Sequence, residues 1–209
     1  MRARSVLVTS VGLCAAAVGF GRYRDWHLGW GATDEERSKA MPGDELLATA
    51  SFEPTRAITI EAPPAVVWPW LVQIGYGRAG FYSYDLLDNL GRPSEERIVP
   101  DLQDLKVGDW IPMGPSANEE TAFLVQALEA PHYMVWSKPS STWAWVLTPL
   151  VGDRTRLVTR IRVRYRWRSP WIVPDLILME LGDFWMMHKE LRSIRERAER
   201  AARSESLPM

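Results

Sequence analysis

Apolar and polar positions alternate most strictly between Thr155 and Arg168, where the chain reads TRLVTRIRVRYRWR. Leu157, Thr159, Ile161, Val163, Tyr165 and Trp167 share one face of an extended chain. Arg156, Val158, Arg160, Arg162, Arg164, Arg166 and Arg168 share the other. This period of two predicts one continuous strand, and its register is pinned because a one-residue slip would bury the arginines. The arginine face reads as solvated, with neighbouring carboxylates as partners; contact with anionic lipid is the functional alternative.

Shorter strands are expected at Arg56–Glu61, Val107–Ile111, Phe123–Glu129, Tyr133–Lys138 and Thr142–Thr148, the last with Trp143, Trp145 and Leu147 on one face. Ala130-Pro131-His132 and Gly152-Asp153 supply turns between them. The pattern changes to a helical period in two places. After Ala62-Pro63-Pro64 the run AVVWPWLVQ predicts a helix that Pro69 kinks or restarts, and FYSYDLLDNLG predicts a second short helix ending at Gly91. From about Asp175 to Arg200, Phe184, Met187, Leu191, Ile194 and Ala198 recur at three and four, the stripe of a helix laid on a sheet. Gly182 is a soft point in its first turns. Lys189, Glu190, Arg192, Glu196, Arg197 and Glu199 are expected on its solvated side. The elements sum to an α+β fold, a curved antiparallel sheet gripping a long C-terminal helix around an apolar pocket.

Composition narrows the chemistry. The 209 residues suit one well-buried core. A formal net charge of -1 gives nucleic-acid binding no whole-chain electrostatic support. Cys14 is the single cysteine, and His27, His132 and His188 lack ligand spacing, so no metal or cofactor is expected. Tryptophan is abundant, with 11 copies, which fits a core of large aromatics or an aromatic-lined cavity.

Ser5 to Gly21 is an uncharged run bracketed by Arg2, Arg4, Arg22 and Arg24. Its 17 residues would reach roughly 25 Å as a helix, just short of a hydrocarbon core. A membrane anchor is expected there, with a signal peptide or a docked apolar helix as alternatives. The polar stretch that follows carries a capping box at Thr33 and Glu36 and ends at Pro42-Gly43.

Three blocks add more than topology: ITIEAPPAVVWPWLVQIGYGRAGFYSYDLLDNLG, IVPDLQDLKVGDWIPM and the ending DFWMMHKELRSIRERAE. Together they resemble a bacterial branch of the SRPBCC superfamily (START-like, polyketide cyclase/dehydrase and lipid transport). The resemblance spans about Trp30 to Ala201. It implies a helix-grip (START/Bet v 1-like) domain over 56–203, after an apolar segment at 1–24 and a polar connector at 25–55, with a tail at 204–209. It further implies a deep cavity for lipids, sterols, polyketides or other apolar molecules, and it carries over no catalytic set.

The expected function is therefore binding or carriage of an apolar small molecule or lipid. Trp110, Trp136, Trp145, Tyr165 and Met187 are the candidate walls. A cyclase or dehydratase on an apolar substrate is the alternative, with Tyr82 and Asp85 as leading polar candidates beside Gln73, Arg78 and His132. Arg78 and Asp85 are equally readable as one structural ion pair. A third reading is a membrane-tethered scaffold whose tryptophans fill a ligandless core.

Overall fold

The computed structural model describes residues 18–205 as an α+β domain with a six-stranded antiparallel sheet and a long C-terminal helix. Helix α1 is described over residues 18–28. Helix α2 (Asp34–Ser38) and a 3-10 turn at Asp44–Leu47 follow, then β1 (Thr55–Ile60), α3 (Pro64–Val72) and α4 (Asp85–Asp88). The remaining strands are β2 (Trp110–Pro112), β3 (Ala122–Glu129), β4 (Tyr133–Lys138), β5 (Ser141–Leu150) and β6 (Arg154–Val163). The chain ends in α5 (Ile172–Ile177), a π-helical segment (Leu178–Gly182) and α6 (Asp183–Glu205). Strand order is β1-β6-β5-β4-β3-β2, so the first strand closes back on the last.

On the inner face, Ile58, Ile60, Trp136, Trp143, Trp145, Leu157 and Ile161 meet α3 and the Met187, Leu191, Ile194 and Ala198 stripe of α6. The helical period thus sits where a sheet needs covering. Helix α3 stays whole through Pro69 and buries Val67, Trp70, Leu71 and Val72. The π-helical segment occupies the turn before α6 that includes Gly182.

The arginine face of β6 is not solvated. The segment from α1 to the Asp44–Leu47 turn lies across it, around a second small cluster of Met41, Ala57, Val135, Ala144 and Val158. Arg160, only 3% exposed, donates to Thr55 Oγ1, to the carbonyls of Glu36, Arg37 and Lys39, and to Asp44 at 2.6 Å. Arg156 pairs with Glu36 at 2.7 Å, and Arg162 with Asp44 at 3.3 Å and Glu53 at 3.4 Å. The carboxylates come from the connector and not from adjacent strands, which is why strand periodicity alone misreads this face. Close approach leaves its mark at Gly31 and Gly43. Both have positive φ, and a Cβ would collide with the Ala57 carbonyl at the first and the Val135 side chain at the second. The capping box forms as expected: Thr33 Oγ1 accepts from Glu36 N–H and Glu36 accepts from Thr33 N–H.

The alternating run also ends sooner than expected. Strand β6 stops at Val163, opposite Ser141, where β5 begins and the ladder loses its partner. Arg164 N–H still reaches the Ser140 carbonyl, but the chain then leaves the sheet.

Candidate functional site

The aromatic interior is one connected stack. Trp136 lies edge-on to Trp143 at 5.3 Å and to Trp145 at 5.9 Å; Phe123 meets Trp143 at 5.9 Å. Trp136 and Trp145 have no exposed surface, so both rings are packed on every side. Their hydrogen bonding is uneven. The Trp143 indole donates to Thr159 Oγ1 at 2.9 Å, whereas the indole N–H groups of Trp70, Trp136 and Trp145 are buried without a partner. A buried donor left unpaired costs about 1–3 kcal/mol, so three in one core call for a reason.

A polar cluster adjoins this stack between the 75–94 loop and α6. The loop is set by Gly75 and Gly80, which pair as an isolated bridge, and by Tyr82, whose φ of 58° is unusual for a bulky residue. That backbone turns the Tyr82 ring inward, edge-on to Trp70 at 6.2 Å, with the Arg197 guanidinium over it at 4.5 Å. Its hydroxyl donates to the Trp70 carbonyl at 3.1 Å and accepts from Gln73 Nε2 at 2.8 Å. Gln73 is further held by Val99 N–H and Gln103 on its carbonyl oxygen. Burial pushes the Tyr82 phenol well above its ordinary range, so it stays neutral and serves as a fixed donor. Asp85 accepts from the backbone and the hydroxyl of Ser94. No Arg78–Asp85 ion pair forms: Arg78 donates instead to the carbonyls of Val72, Ile74 and Leu102.

Two carboxyls beside this network are held less firmly: Asp88 has only a marginal contact with the Ser83 hydroxyl, and Glu190 Oε1 is buried without a partner. Burial, then the neighbouring Asp85 charge, raises Asp88 to about 6. Burial, then Asp88 and Asp183, pushes Glu190 well above the usual carboxylate range. Both carboxyls are thereby shifted toward the protonated form, in which either can donate a hydrogen bond into the core. Glu190 corrects the expected solvated side of the last helix, for it is only 2% exposed. Arg197, expected on that side too, turns onto Tyr82. The signal was present: Glu190 follows Met187 by three and precedes Ile194 by four, which places it on the edge of the apolar stripe.

The structure thus gathers Tyr82, Trp136, Trp145 and Met187 in one cluster, leaves Asp85 half-buried on Ser94, and separates two others from it. Trp110 opens β2 with 43% of its surface exposed. Tyr165, beyond the end of β6, is buried against Phe52 at 6.4 Å, and its hydroxyl donates to Glu180 at 3.3 Å. His132 is exposed in the β3–β4 turn. His27, which sequence left without a role, is fully buried between Tyr23 and Phe184, and burial followed by the Arg56 charge lowers it to about 4. Among the described residues no three His, Cys, Asp or Glu side chains are grouped to hold a metal.

No family model matches the chain, and no curated protein does. It is similar to solved structures at low identity. A Thermobifida fusca protein solved by NMR is 16% identical, with 71% of this chain and 93% of that one covered and a TM-score of 0.46. Protein NE0264 of Nitrosomonas europaea is 14% identical, with 71% and 95% covered and a TM-score of 0.45. PFC0360w, an HSP90 activator from Plasmodium falciparum, is 16% identical, with 67% and 92% covered and a TM-score of 0.39. Overlaps this loose carry no argument about function.

Proposed function

We propose that the domain is a START-like helix-grip module that binds an apolar molecule bearing one polar end, between the sheet and α6. The observation that supports this reading is the set of unpartnered groups in an otherwise apolar interior: the indole N–H of Trp70, Trp136 and Trp145, and Glu190 Oε1. A hydrocarbon body matches the aromatic and methionine walls, and a carbonyl or hydroxyl end matches the free donors. Because Trp136 and Trp145 are packed on every side, uptake requires these rings to swing aside, which places the binding-competent form among the less populated conformations. The π-helical turn ahead of α6 is the natural place for that motion, since such turns are rare and concentrate at functional sites.

The competing reading is a scaffold with a permanently closed core, favoured by the complete burial of Trp136 and Trp145. Native mass spectrometry of the purified full-length chain, with organic extraction of the same sample, separates the two. A retained or added fatty acid or fatty alcohol at one equivalent supports binding; none retained and none taken up supports the scaffold. Attachment to a membrane through Ser5 to Gly21 belongs to the same proposal, since a tethered domain would draw its ligand from the adjacent leaflet. Residues 5–17 lie outside those described, and no helix among the described residues is long and apolar enough to cross a membrane.

A further inference from the structure

Beyond the end of β6 the chain presents apolar side chains outward for some twenty residues. Trp167, Trp171, Val173, Ile177, Leu178, Leu181 and Trp185 are all exposed, Trp171 by 68%. Leu178, Leu181 and Trp185 follow one another at three and four, so they form a helical stripe of their own. The α6 core stripe starts with Phe184 and Met187, which are buried, so this outer stripe is left over by the fold. Helix α1 lies alongside: Trp26 meets Phe184 at 4.7 Å and Arg24 pairs with Glu180 at 2.8 Å, while Val18, Phe20 and Trp26 remain exposed.

One end of this face is basic. Arg22, Arg164, Arg166 and Arg168 are exposed. A shallow groove of about 520 Å³ is lined by Arg166, Trp167, Arg168, Ser169 and Trp171. Several nearby carboxylates are engaged: Glu180 with Arg24 and Tyr165, Asp183 with Arg56, Asp25 with Arg37, and Glu120 with Arg166. Tryptophan beside arginine, on helices lying flat, is the composition of a surface that sits at a lipid headgroup boundary. The uncharged run Ser5 to Gly21 precedes and overlaps the start of α1 in sequence.

We propose that the face formed by α1 and residues 167–185 docks on an anionic lipid surface, with the Arg166–Trp171 groove taking a phosphate headgroup. This docking is independent of whether the interior binds a ligand, and it is a second attachment besides the N-terminal run.

The test uses the full-length chain with Cys14→Ser and one environment-sensitive dye, placed at Leu178→Cys or at Val151→Cys. Val151 is exposed in the β5–β6 turn, at the far end of a ten-residue strand from Arg164 and so roughly 30 Å away. Vesicles of phosphatidylcholine with phosphatidylglycerol, containing brominated acyl chains, should quench the Leu178→Cys dye severalfold more than the Val151→Cys dye. Pure phosphatidylcholine should give much weaker quenching at Leu178→Cys. Equal quenching at the two positions on vesicle-bound protein would overturn the proposal, as would equal effects of the two lipid compositions. A dye at Leu178→Cys already shielded without vesicles also overturns it. Concentration-dependent shielding would assign the face to a second copy of the chain, and concentration-independent shielding to its own residues 1–17.

Discussion

Arg56 of β1 and Asp183 of α6 form a buried ion pair at 2.6 Å that ties the first residues of the sheet to the start of the last helix. Arg56 also donates to the His27 carbonyl at 2.9 Å, so one guanidinium joins α1, β1 and α6. Burial pushes the Asp183 carboxyl upward while Arg56 holds it down. We expect Arg56→Met to lose about 3–5 kcal/mol in urea unfolding, because it strands a buried carboxylate. The double variant Arg56→Met with Asp183→Leu should recover much of that loss. Equal losses for the single and the double variant would show that the pair does not act as a unit.

The fold was largely legible in the sequence because its elements announce themselves by period. The strand Tyr133–Lys138 is found where expected, and the core stripe of α6 is the one read from Phe184 to Ala198. What periodicity does not carry is the partner of each face. Arg160 reads as a solvated residue until the connector lies over it, and Glu190 reads as surface until the Asp88 loop closes beside it. Both depend on segments far away in sequence. Tyr82 and Asp85 were legible as polar candidates, but their neighbours Asp88 and Arg197 were not, because the turn at Tyr82 brings them together only in three dimensions.

Arg160 gives the second expectation. Replacing it with Met removes five hydrogen bonds, takes this donor from three connector carbonyls, and leaves Asp44 with only Met41 N–H and Arg162. The cost should be about 3 kcal/mol. Amide hydrogen exchange should accelerate across residues 34–47 well before the sheet itself opens. Uniform acceleration across the whole domain would mean that the connector is no separate layer.

Asp88 sets a pH dependence whose sign is fixed by its raised value. The folded state holds its proton up to about pH 6, whereas the unfolded chain releases it near 3.8. Folded protein therefore binds more protons in that window, and the stability Asp88 contributes at low pH is lost as pH rises through 6. His27 acts oppositely, since its lowered value makes stability rise with pH between about 4 and 6.5. Comparing wild type with Asp88→Asn cancels the histidine. The variant's advantage should grow from pH 4 to 6 and level off at about 1–2 kcal/mol, allowing for partial solvent screening. A constant difference across that range would show that Asp88 is not held protonated.

Glu190 separates stability from binding. Burial pushes its carboxyl well above the usual carboxylate range and so favours the uncharged form, which Gln mimics in shape; Glu190→Gln should keep the fold within about 1 kcal/mol of wild type. Glu190→Gln exchanges an acid proton for an amide, so uptake of a fatty alcohol should change little. Glu190→Leu removes the polar end altogether and should weaken uptake about tenfold or more. Equal uptake by wild type and Glu190→Leu, measured by native mass spectrometry, would remove Glu190 from the site.

The central claim is that the aromatic interior opens to receive an apolar molecule. Indole N–H resonances of 15N-tryptophan protein, followed while dodecanol is added to the full-length chain, report on it directly. We expect the Trp70, Trp136 and Trp145 signals to move together and saturate at one equivalent, while Trp143, already bonded to Thr159, moves least. If the three buried indoles do not move while the exposed Trp171 and Trp185 do, the molecule is on the surface and the core stays closed.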